Sequence, residues 1–61
     1  ENMEKQTWNI RKWEEEKEDW IFIESFTGTE EELFKRFNEL HEQYEDATFY
    51  AYPKEKEEMN K

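Results

Sequence analysis

One amphipathic helix is written into this chain, and the rest of the fold has to be built on the single face it offers. It occupies "TGTEEELFKRFNELHEQYED", starting just past Gly28. Thr29 followed by Glu32 forms the pattern of a capping box, in which the hydroxyl and the carboxylate each satisfy an otherwise free backbone amide. Glu30, Glu31 and Glu32 stand where the helix dipole favours negative charge. Leu33, Phe34, Phe37, Leu40, His41 and Tyr44 recur at helical spacing as one apolar stripe. One stripe can cover one layer and no more.

The remaining apolar residues fall into three β-type runs. Thr7 to Trp13, "TWNIRKW", alternates: Trp8 and Ile10 point one way, Asn9, Arg11 and Trp13 the other. Trp20 to Phe26, "WIFIESF", is β-branched and aromatic almost throughout. Between them lies "EEEKED", Glu14 to Asp19, a hairpin loop with no Asn-Gly or Asp-Gly to mark a tight turn, so part of it is expected to extend the strands. "ATFYAY", Ala47 to Tyr52, reads as a third strand closed by Pro53.

The order β-β-α-β predicts a small α+β domain: a three-stranded antiparallel sheet, strand order 2-1-3, with one helix packed on one face. The alternative sets the third strand beside the second as a parallel pair through a right-handed crossover. The folded domain is expected over residues 7–53, between a flexible segment at 1–6 and a flexible charged tail at 54–61. Met3 is read as the natural start, with Glu1 and Asn2 placed before it.

A chain of 61 residues is small for stability on burial alone. It has no cysteine, and its one histidine, His41, cannot build a metal site, so neither usual staple is at hand. Aromatic bulk and self-association are the remedies left. Three Trp, three Tyr and five Phe supply the first.

Charge sets the class of partner. The net charge of −9 argues against direct contact with nucleic acid or an anionic membrane surface, and for a basic partner. No apolar stretch approaches the length of a membrane span or signal sequence, which makes the cytoplasm, a host's if the chain is phage-encoded, the expected setting. The excess is also expected to be polarised. A seven-residue strand spans about 23 Å and a sixteen-residue helix about 24 Å. With those lengths, order 2-1-3 puts the hairpin loop and the C-terminal half of the helix at the same end. Glu14, Glu15, Glu16, Glu18 and Asp19 gather there against Lys17, joined by Glu39, Glu42, Glu45 and Asp46; the charges elsewhere in residues 7–53 cancel.

Such crowding opposes folding, because carboxylates near a helix C-terminus oppose its dipole and like charges within about 8 Å repel at physiological salt. That is the argument for use: an acidic end that docks on a basic protein surface, with Glu14, Glu15, Glu16, Glu18, Asp19, Glu42, Glu45 and Asp46 as the docking carboxylates. The plainer reading is a solvated face that confers solubility.

The sheet's second face is the other candidate. Pairing Trp13 with Trp20 puts Trp8, Ile10, Ile21 and Ile23 toward the helix and Trp13, Trp20, Phe22 and Phe26 away from it; a one-residue slip would group Trp8 and Ile10 with Trp20 and Phe22 instead. The first register keeps Glu24 out of the helix face. Trp13, Trp20, Phe22, Tyr50 and Tyr52 then form an aromatic face of a kind that soluble monomers rarely leave open. It points to a homodimer or higher homo-oligomer. Long side chains such as Arg11 and Lys12 draped over it are the alternative.

Enzymatic and metal chemistry find no support. The runs Glu14–Glu16 and Glu30–Glu32 diverge on a strand or helix and form no cation cage, and no EF-hand pattern is present. His41 lacks a nearby Ser or Cys nucleophile, and a domain this size has little room for a concave pocket. Aromatic strands can stack bases, but such sites need a basic groove. No catalytic residue, metal or cofactor is expected.

In composition alone, with no motif, the chain resembles small, cysteine-free, strongly acidic, aromatic-rich proteins encoded by phages. Many of those occupy the basic nucleic-acid site of a host or defence enzyme. The resemblance implies a non-enzymatic inhibitor or anti-defence protein acting by charge mimicry. The alternatives are a self-assembling structural or accessory protein working through its aromatic face, and a designed miniprotein.

Overall fold

The computed structural model describes residues 4–55. The elements run β1 (Gln6–Glu14), β2 (Asp19–Gly28), α1 (Glu30–Gln43) and β3 (Phe49–Pro53). The sheet is antiparallel, in order β2-β1-β3, with the helix on one face. Most of the expected flexible ends, residues 1–3 and 56–61 with the proposed start at Met3, lie outside the described residues. Gln6 belongs to β1 and pairs with Gly28.

The hairpin extends as its loop chemistry implies. Glu14 and Asp19 pair as the last rung, and Glu15 to Glu18 make a four-residue turn in which the Glu18 amide donates to the Glu15 carbonyl at 3.2 Å. Glu18 closes the turn at φ 50°, a left-handed conformation that side chains disfavour.

The helix starts on the capping box. The Glu32 amide donates to the Thr29 hydroxyl at 3.2 Å, and the Thr29 amide donates to the Glu32 carboxylate at 2.9 Å. Gly28 is needed because that carboxylate lies on top of it: a Cβ there would stand 2.5 Å from Glu32 Oε1 and 3.0 Å from the Phe26 ring. Four apolar residues form the buried core, Trp8 and Ile10 from β1 with Leu33 and Leu40 from α1. Phe26, Phe37, Tyr44, Phe49 and Ala51 pack around them. The helix stripe is narrower than its pattern: Phe34 is 57% exposed, and His41 is exposed with its ring edge-on to Phe49 at 5.1 Å. Leu33, Phe37, Leu40 and Tyr44 face inward.

The register differs from the sequence expectation in one place, with a large effect. Trp13 pairs with Trp20 and Arg11 with Phe22, but Ile10 then pairs with Glu24, leaving Ile23 as an extra residue in a β-bulge. Beyond the bulge every side chain of β2 changes face. Phe26, expected on the outer face, joins the core under the helix, and Glu24, expected outside, points to the helix side. There Arg36 holds it in a two-pronged pair at 2.7 and 2.8 Å. The bulge lets Trp20 and Phe22 stay outward while Phe26 fills the core. β3 begins at Phe49 rather than Ala47, since the Thr48 carbonyl is taken by the Trp13 amide at 3.0 Å.

Candidate functional site

Two surfaces bring predicted residues together. At the hairpin end, a shallow open depression is lined by Glu14, Glu15 and Glu16 from the hairpin and by Glu45 and Asp46 from the loop after α1, with Lys12, Trp13, Ala47 and Thr48 as its floor and walls. The Trp13–Thr48 backbone bond draws the two loops together. Asp46, at φ 57°, turns the chain from the helix end into β3, a conformation that aspartate tolerates better than most residues.

The other acidic residues sit around this depression rather than in it. Glu18 is at the turn, Glu42 is exposed on the last turn of α1, and the Asp19 carboxylate accepts the Trp20 amide at 2.8 Å. Two interactions temper the charge. Lys12 reaches in to pair with Glu14 at 2.8 Å while its ammonium lies 5.6 Å from the centre of the Tyr44 ring. Glu39 is drawn back along the helix to Arg36, at 2.8 Å.

Only some of these carboxyls titrate away from their ordinary range. Glu14 is held below it, first by its hydrogen bond from Lys12 and then by that ammonium's charge. Glu24, on the helix face, is held below it chiefly by its hydrogen bonds from Arg36, against partial burial that acts the other way. The Arg36 guanidinium is stabilised as the cation by Glu24 first and Glu39 second. Glu32 is lowered by the Thr29 backbone amide.

The outer sheet face carries the second surface. Trp13 and Trp20 meet edge to face at 5.2 Å, Trp20 leans across β1 to Tyr50 at 4.8 Å, and Tyr50 stacks on Tyr52 at 5.6 Å. Arg11 runs beneath this row, its side chain donating to the Tyr52 hydroxyl at 3.0 Å and to the Trp20 carbonyl at 3.1 Å. The rings thus satisfy much of one another's surface, with Arg11 as the draped residue; Lys12 lies on the opposite face. Phe22, 50% exposed on β2, and Tyr50, 41% exposed on β3, are the large open groups of this face. Trp13 belongs to both surfaces, its indole N–H donating to Glu15 at 3.2 Å.

The sequence pattern located both surfaces by topology. What it missed is the Glu24–Arg36 pair, whose only signal was a lone acid inside an apolar strand. Among the described residues no group of His, Cys, Asp and Glu is placed to hold a metal ion, and no helix is long and apolar enough to cross a membrane. No protein family, curated protein or solved structure matches this chain.

Proposed function

We propose that the chain is a non-enzymatic interaction module that docks its acidic end on a basic, nucleic-acid-binding surface of another protein. The reading rests on one observation: two loops distant in sequence, both acidic, share the walls of one depression at one end of the domain. Carboxylates gathered this way offer a partner the charge pattern that a phosphate backbone would, and long-range attraction speeds such encounters.

The test is capture of nucleic-acid-binding proteins on the immobilised chain. Retention lost in high salt, competed by duplex DNA and abolished by Glu14→Lys, Glu15→Lys and Glu16→Lys together supports the docking. Retention indifferent to salt and to charge reversal refutes it.

A second reading is a self-assembling accessory protein. It is favoured by the aromatic row of Trp13, Trp20, Tyr50 and Tyr52, with Phe22 open beside it. On that reading, Trp13→Ser with Trp20→Ser weakens assembly while the lysine triple variant leaves it intact.

A further inference from the structure

We propose that two copies of this chain pair edge to edge through β2, antiparallel, to form one six-stranded sheet with both helices on the same face. The proposal rests on the self-association reading and names its surface. β2 is an edge strand: β1 lies on one side, and among the described residues no strand lies on the other. Sheet edges are normally guarded by shortness, lysine, proline, bulges or inward charges. β3, at the opposite edge, is five residues long and ends in Pro53. β2 has ten residues, "DWIFIESFTG", without lysine, arginine or proline. Its inward acid, Glu24, is occupied by Arg36, so that charge does not repel a neighbour.

The bulge at Ile23 fixes the register. Paired residues must share a face. Trp20 and Phe22 point outward before the bulge, whereas Ser25 and Thr27 point outward after it, opposite Asn9 and Thr7. A two-fold axis between Ile23 and Glu24 meets this condition throughout. Trp20 then faces Thr27 of the second copy, Ile21 faces Phe26, and the exposed Phe22 faces Ser25.

Charge favours the same arrangement. The acidic turn that precedes Trp20 comes beside the second copy's groove at Phe26 and Thr27, where Lys5, Lys35 and Arg36 outnumber Glu32 and Glu39. Parallel pairing would instead set one acidic turn against the other.

The chain has no cysteine, so introduced thiols report cleanly. Phe22→Cys and Ser25→Cys chains are mixed under mild oxidation, with Tyr50→Cys alone as the face-to-face control. Directly paired residues lie within about 4.5–5.5 Å between Cα atoms, inside the range a disulfide spans. The expected result is a preferred Phe22→Cys/Ser25→Cys heterodimer, with the unmodified chain's sedimentation mass rising toward twice the monomer as concentration increases. A concentration-dependent dimer that cross-links through Tyr50→Cys instead overturns the edge and keeps self-association. A monomer mass at every concentration overturns both.

Discussion

Glu18 occupies a position that glycine would fill without strain. At φ 50° its side chain crowds the following carbonyl, a conflict that costs about 1 kcal/mol, and it adds a charge to an end already rich in them. Glu18→Gly is therefore expected to stabilise the domain by about 1 kcal/mol, read as a rise in Tm of about 4–8 °C for a domain of this size. Gly28 makes the converse case. Its backbone needs no special conformation, but the Glu32 carboxylate lies 2.5 Å from where a Cβ would be. Gly28→Ala should displace that carboxylate, weaken the cap and lower stability by about 1 kcal/mol. Pairing it with Glu32→Ala should recover part of the loss, since the double variant has nothing left to displace. Thermal unfolding of the two variants checks this.

Element by element, α1 is fastened to β2 by Arg36 and Glu24, in a partly buried pair that spans twelve residues of sequence. The folded state holds the Glu24 carboxyl below its ordinary pKa of 4.5. As pH falls, the unfolded chain takes up this proton before the folded chain does. The contribution is thus complete above the ordinary carboxylate range and disappears as pH drops through that range to the folded value. Glu24→Gln should lower stability at neutral pH, and its difference from the parent should shrink toward zero in acid, measured as urea midpoints across pH.

The same pair marks where sequence reading stopped. The helix cap, the strand order, the Trp13–Trp20 rung and the facing of Phe49 and Ala51 were legible because each depends on local periodicity or on topology. The bulge was not. Strict alternation puts Glu24 and Phe26 on the face of Trp20 and Phe22, and only Arg36 and the space beneath the helix reverse them. Phe34 failed similarly: it lies on the helical stripe by spacing, but a three-stranded sheet is too narrow to cover it.

At the scale of the whole molecule, the fold resolves the limit set by its single helix by giving the sheet two unequal sides. Trp8, Ile10, Leu33 and Leu40 form a buried core on one. On the other, aromatic rings pack on one another around Arg11. Topology then delivers the hairpin and the helix end to a common pole. The location of the acidic residues was legible to that extent. The side chains that moderate them were not: Lys12 was counted with the neutral remainder yet bonds Glu14, and Glu39 was counted with the acidic pole yet bonds Arg36.

The most direct measurement is a map of backbone amide shifts while an arginine-rich peptide is titrated into the labelled chain at low salt. The account predicts saturable changes concentrated at Glu14, Glu15, Glu16, Glu45 and Asp46, reversed by added salt, with the helix N-terminus silent. Changes scattered around the circumference in proportion to exposed carboxylates, or none at all, would contradict it.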